Sequence, residues 1–191
     1  MRTAKNILLP VIAFYLLSFT LPKDWIVAGS AFMKYDIGID KGSGQDGKNA
    51  ATIKSIADSI NGFGTLMQFC KAEKYAGRKI KMTGMVKSEN VNDWAGLWLR
   101  VDQEGSKEHL AFDNMHDRPI KGTTAWTKYE IILDVPSNAF KLAYGALLHG
   151  TGQIWFDDIS FEVVGKAEKN PGGVTKKINY PVEPSNLDFE K

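Results

Sequence analysis

Residues Thr124–Val164 read TAWTKYEIILDVPSNAFKLAYGALLHGTGQIWFDDISFEVV. Tyr129, Ile131, Leu133 and Val135 alternate with Glu130, Ile132 and Asp134. Leu142, Tyr144, Ala146 and Leu148 alternate with smaller residues, and Ile154–Val164 forms a third run. Pro136-Ser137-Asn138 and His149-Gly150-Thr151-Gly152 separate the runs. A two-residue period bounded by such turn residues predicts antiparallel strands.

The same pattern extends upstream. Strands are predicted over Phe32–Asp40, Ala50–Ile56, Gly64–Ala72, Lys79–Lys87, Trp94–Asp102 and His109–Met115. The Gly-rich stretch KGSGQDGK at 41–48 and Asn61-Gly62 supply turns. About nine short strands with no long amphipathic helix predict an all-β antiparallel sandwich. The chain has 191 residues, enough for one domain, with 43% hydrophobic and 24% charged residues. A net charge of +2 offers no basic stripe and argues against a nucleic-acid partner. Cys70 is the single cysteine, so no intrachain disulfide is possible.

Domain boundaries follow from composition. Arg2 and Lys5 precede the apolar run Ile7–Leu21, which is short for a bilayer span of ~20 residues and matches a signal-peptide core. Residues 1–21 are therefore read as a targeting helix, either cleaved or kept as a membrane anchor. Ser18-Phe19-Thr20 is a mediocre cleavage site; Ala28-Gly29-Ser30 has better chemistry but would remove Trp25. The binding domain is expected over 22–165 and a Pro/Gly-rich linker over 166–185. Residues 186–191 hold Leu187 and Phe189 at strand spacing, as a tip without fixed structure or an edge strand returning beside Trp25. The location expected is exported: periplasmic, cell-surface or secreted.

Candidate chemistry comes from alternation. Ala95, Leu97, Leu99 and Val101 make an aliphatic face, which leaves Trp94, Gly96, Trp98 and Arg100 on the other. An aromatic ring stacks on the C–H face of a sugar, and a guanidinium donates to hydroxyls or a carboxylate. Packing under loops is the alternative role for the tryptophans. With Leu110 and Phe112 inward, Asp113 falls on the Arg100 side, as part of a polar rim or as an ion-pair partner of Arg100. Asn114, His116 and Arg118 extend that rim, and Gln68 joins the set of candidate ligand contacts. Asp157-Asp158 point to opposite strand faces, which disfavours a catalytic carboxylate pair. Nucleophile and metalloprotease motifs are missing, so no enzymatic activity is expected.

Three blocks, Tyr75–Arg78 before the strand ending in Val86-Lys87, Thr124–Tyr129, and Gly150–Asp158, resemble the galactose-binding-like jelly rolls used by carbohydrate-binding modules. GFGTLMQ at 62–68, WAGLWLRVD at 94–102 and FDNMHDRPIKGTT at 112–124 are similar to bacterial domains attached to regulators or peptidase-like proteins, or standing alone. The resemblance implies a concave face able to carry Trp98 and Arg100. It also implies a structural calcium between an early loop and the last strand, with Asp40 and Asp158 as candidate ligands. Two function classes stay open. One is a non-catalytic module for a glycan or another polar small molecule. The other is an interaction or sensory domain whose partner is a protein.

Overall fold

The structure, a computed structural model, describes residues 19–168 and 180–191. All but the last three residues of the expected targeting helix lie outside them. Among the described residues nine strands form: β1 (Ile26–Ala28), β2 (Tyr35–Asp40), β3 (Ala50–Ser55), β4 (Phe63–Lys71), β5 (Arg78–Gln103), β6 (His109–Asp113), β7 (Ile120–Val135), β8 (Ala139–His149) and β9 (Gln153–Lys166). Every pairing is antiparallel.

The long strand β5 organises the sheet. Its first half, Arg78–Glu89, pairs with β9 and β7; its second half, Trp94–Gln103, pairs with β8 and β6. Between the halves the register with β7 shifts repeatedly and Asn90 takes φ +52°. The strand bends there and passes from one layer to the other. One layer is β1-β4-β8-β5-β6 and the other is β2-β3-β9-β5-β7. Sequence reading expected two strands, 79–87 and 94–102, because Ser88–Asp93 is polar. Their backbone stays paired, with Val91 buried opposite Gly122. The expected strand start at Phe32 is instead a 3-10 turn, Phe32–Lys34, that leaves Phe32 and Met33 exposed.

The core lies between the layers. Leu66 and Cys70 of β4, Leu142, Tyr144, Ala146 and Leu148 of β8, and Leu97, Leu99 and Val101 of β5 face Ile37, Ile53, Ile80, Met82, Ile131, Ile154 and Phe156. Burial pushes the Cys70 thiol up to about 12, so it stays protonated and inert.

Gln68 is the one polar side chain that β4 sends inward. Its Nε2 donates to the Asp24 and Ser185 carbonyls, both at 3.1 Å. Its Oε1 accepts from the Tyr144 hydroxyl and from the Ser185 amide, the latter at 2.9 Å. A buried amide with its donors and acceptor engaged costs little and fixes its partners. Gln68 thus ties the entry of the domain and the C-terminal segment to the same two strands. It is a structural clamp and not a ligand contact.

The C-terminal segment closes one end of the sandwich. Phe189 is fully buried, with ring centroids 4.9 Å from Trp25 and 5.0 Å from Phe156. The Trp25 indole donates to the Asn186 carbonyl at 3.2 Å, and the Ile159 amide donates to the Leu187 carbonyl at 3.1 Å. Residues 186–191 sit beside Trp25 as a turn, not as an edge strand. Asn186 and Phe189 have φ +47° and +54°, and the Asn186 side chain brackets Lys191 at 2.7 and 2.9 Å. A strand would leave Phe189 on the sheet edge; the turn inserts the ring between the layers. Cleavage after Ser30 would remove Trp25 and β1 from this core. Upstream, Phe19 and Thr20 cross β2, where the Ile39 amide donates to the Thr20 carbonyl at 2.7 Å.

Phe189→Ala should destabilise the domain by about 3–5 kcal/mol, the usual cost of emptying an aromatic core site. Chemical denaturation measures this. A change under about 1 kcal/mol would mean the ring does not close the core.

Candidate functional site

The outer face of the β1-β4-β8-β5-β6 layer carries a second apolar cluster, separate from the core: Met67, Trp98, Ala143 and Leu147, flanked by Ala28, Phe63, Phe69 and Trp94. Strand register explains why they meet. Phe63, His149 and Trp94 form one cross-strand row; Thr65, Leu147 and Gly96 the next. Met67, Gly145 and Trp98 follow, and then Phe69, Ala143, Arg100 and Phe112. Large side chains on the outer strands and Gly145, Gly96 and Ala143 in the middle make a groove of about 470 Å³. A side chain at Gly145 would collide with the Leu66 carbonyl, and one at Gly96 would come 2.9 Å from the Asn114 carbonyl. The floor therefore stays low.

Trp98 is only 4% exposed, and its indole donates to the Thr65 hydroxyl at 2.9 Å. Thr65 lies two strands away, so the ring lies flat across β8 where Gly145 leaves room. The Thr65 hydroxyl in turn donates to the Ala146 carbonyl at 2.6 Å. Trp98 is thus the floor, with its polar atom already satisfied. Phe112, 43% exposed, and half-buried Trp94, Phe63 and Phe69 supply the accessible ring surface. Trp94 stands at one end with His116 edge-on at 5.2 Å and His149 stacked at 6.2 Å. His149 Nδ1 lies 2.6 Å from Asp93.

Several expected positions shift. Arg100 lines the groove but pairs with Asp102 at 2.8 and 3.0 Å, not with Asp113. Phe112, expected inward, lies opposite Arg100 and therefore on the groove side; Asp113 lies opposite Leu99. Leu110 and Ala111 are the β6 residues that pack on the core. Asp113 instead accepts from Arg118 at 2.7 Å and from the Met115 amide at 2.8 Å. That clip shapes the 113–118 loop, and Arg118 also donates to the Glu130 carbonyl at 3.2 Å. Asn114 borders the groove, and its Oδ1 accepts the His116 amide at 3.2 Å. Gln68 points the other way, into the core. Sequence reading did not assign Phe63, Met67, Phe69, Phe112 or Leu147 to the site. The alternation Thr65-Met67-Phe69 was legible, but not its register beside β8 and β5.

The acidic pair has its own geometry. Asp158 takes φ +49° at a bulge where the β5–β9 register shifts, and its amide donates to Asp157 at 2.7 Å. Asp157 is the buried member. Burial, with the nearby charges of Asp158, Glu190 and Asp188, pushes its carboxyl up to about 7. Asp40 accepts the Trp155 indole N–H at 2.7 Å, while Asp158 borders a cavity with Asn186, Asp188 and Lys191. Among the described residues no group of three or more His, Cys, Asp or Glu side chains is placed to hold a metal ion. Of the two expected calcium ligands, Asp40 has one carboxylate oxygen engaged by that indole.

No protein-family model matches the chain. A xylan-binding CBM22-1 domain from Paenibacillus barcinonensis Xyn10C superposes with TM-score 0.54 at 13% identity, over 78% of this chain and 92% of that one. The C-terminal family 22 carbohydrate-binding module of Clostridium thermocellum Xyn10B gives TM-score 0.52 at 13% identity, over 77% and 89%. The fold is that of the galactose-binding-like carbohydrate-binding modules. It is not restricted to them: the Stig cyclase FisC of Fischerella sp. TAU, in complex with an indole compound, gives TM-score 0.53 at 13% identity, over 78% and 88%. In sequence, the chain is 37% identical over 175 residues to YbfP, an uncharacterised HTH-type transcriptional regulator of Bacillus subtilis (strain 168). That match takes in 88% of this chain and 57% of that protein. The chain thus spans little more than half the length of this curated relative.

Two outcomes follow from the geometry. Trp98→Ala should cost about 3–5 kcal/mol in denaturant unfolding, as expected for a buried aromatic floor, and Thr65→Val about 1–3 kcal/mol by orphaning the indole N–H. A stability change near zero for Trp98→Ala would contradict the floor assignment. Asp157 binds its proton more tightly folded than unfolded, where its ordinary value is 3.8. Stability should therefore fall as pH rises from about 4 to about 7 and then level off. Asp157→Asn should flatten that slope and be the more stable form above pH ~7; unchanged pH dependence of the melting temperature would refute this.

Proposed function

We propose that this protein is a non-catalytic binding module whose ligand lies in the outer-face groove of the β1-β4-β8-β5-β6 layer. The ligand is a glycan or another small molecule that presents a flat C–H face. The observation that carries this is the placement of Phe63, Phe69, Trp94 and Phe112 around a low floor on the outside of the sheet. Aromatic side chains contribute strongly to a binding surface because they are large and rigid. Here they flank a concave floor, which suits stacking against a sugar ring or a planar ligand. The xylan-binding role stated for the Paenibacillus barcinonensis domain of the same fold supports the glycan reading.

The regulator YbfP favours a second reading, in which the domain senses a ligand or a protein partner and no sugar is involved. Both readings can use the same groove, and they differ in what fills it. Export is part of the proposal and rests on the basic-then-apolar sequence of residues 1–21. The core position of Trp25 supports processing, if it occurs, near Ser18–Thr20 and not at Ala28–Ser30.

Calorimetric titration against a glycan panel that includes xylo-oligosaccharides tests the proposal. Trp94→Ala and Phe112→Ala should each weaken binding about tenfold or more, the scale of an interface hot spot. Phe112→Ala should change the melting temperature little because the residue is 43% exposed and lies outside the core. Glycan binding that survives both substitutions would place the ligand elsewhere. Absence of glycan binding together with capture of a non-sugar ligand by the groove would favour the sensory reading.

A further inference from the structure

The groove has two unlike ends. At the Trp94 end stands the Asp93 carboxylate with its partner His149. At the other end the row beyond Phe69, Ala143 and Arg100 is Lys71, Lys141 and Asp102. Lys71 has its own partner, Glu73, at 3.8 Å. Among the described residues, Arg100 and Lys141 share one carboxylate: Asp102 accepts from Arg100 at 2.8 and 3.0 Å and lies 3.6 Å from Lys141. Two cations against one anion leave a net positive charge at this end.

The environment makes that charge effective. Lys141 is mostly covered, its Nζ held 4.6 Å from the Phe69 centroid and 5.1 Å from the Tyr180 centroid. Aromatic faces hold an ammonium in place without neutralising it. Among the described residues, Arg100 uses its Nε and one Nη2 bond toward Asp102. A guanidinium has five N–H donors. Arg100 also remains about a third exposed, with a side-chain value of 36%, and lines the groove. Three polar atoms along the rest of the groove are committed internally: the Trp98 indole to Thr65, the Thr65 hydroxyl to Ala146, and Asn114 Oδ1 to the His116 amide. The floor therefore reads an apolar face, and the Arg100–Lys141 end supplies cationic recognition.

We propose that the ligand carries an acidic group beyond its apolar face and docks with that group at Arg100 and Lys141, an inference that rests on the groove being the binding site. The acid completes an arrangement in which two cations meet two carboxylates, one from Asp102 and one from the ligand. Charge-assisted pairing with a partly desolvated guanidinium is strong and directional. The chemistry fits a sugar chain bearing a uronic acid and an aromatic carboxylate alike.

Calorimetry on the whole chain with two matched pairs tests this. One pair is a glucuronic-acid-substituted xylo-oligosaccharide and its unsubstituted counterpart; the other is 2-naphthoate and 2-naphthalenemethanol. The acidic member of at least one pair should bind about tenfold more tightly at low ionic strength. The preference should shrink in about 0.5 M salt, where charges are screened. Arg100→Gln and Lys141→Gln should each reduce it, with thermal unfolding confirming that the variants fold; the salt series on the unaltered chain needs no variant. The pair that responds identifies the source of the acid. Equal binding of both members, lost in Trp94→Ala, would overturn the charge inference while leaving the groove as the binding site. Failure of all four compounds to bind overturns it as well, and the wider glycan panel then decides the groove reading separately.

Discussion

The inner face of β5 fixes its outer face. Ala95, Leu97, Leu99 and Val101 are fully buried between the layers. Because successive side chains of a strand point to opposite sides, this places Trp94, Gly96, Trp98 and Arg100 outside. A one-residue slip would bury a guanidinium and an extra indole and expose four aliphatic residues, so the register is strongly specified. The groove is therefore a by-product of core packing. Its aromatic and cationic residues stay at the surface because the hydrophobic effect holds their neighbours inside.

That arrangement needs a closed sandwich, and the chain closes it from both ends. Trp25, just after the entry of the domain, and Phe189, near its last residue, pack on each other and on Phe156. Gln68 hydrogen-bonds to backbone on both sides of this contact, at Asp24 and Ser185. Since Gln68 lies on β4 between Met67 and Phe69, the clamp that secures the termini also holds the strand that supplies one wall of the groove. Tyr180 extends the link, covering Phe69 and Lys141 at the cationic end. Stability at the closing seam and chemistry in the groove are thus coupled through neighbouring residues of one strand.

Much of this was legible in the sequence. Alternation in β8 and in the second half of β5 named their buried residues, and the turn residues marked most strand ends. Three features were not legible. Continuity of β5 through the polar stretch 88–93 depends on pairing with β7, which lies some thirty residues away. The side on which Phe112 falls depends on the register of β6 against Arg100. An inward Gln68 looks like a surface residue until Ser185 and Asp24 are brought to it by the fold. Each is a long-range pairing, and local periodicity does not encode the partner strand. Phe189 shows the same limit: its spacing from Leu187 suggested a strand, but a left-handed turn buries the ring more completely.

The most direct measurement is backbone NMR of the isotopically labelled protein titrated with a binding ligand. The account predicts amide shift changes centred on Phe63, Met67, Trp94, Arg100, Phe112 and Leu147, with the opposite layer around Thr52 and Trp155 unmoved. Shifts centred on that opposite layer, or on the loops at the closing seam, would contradict it.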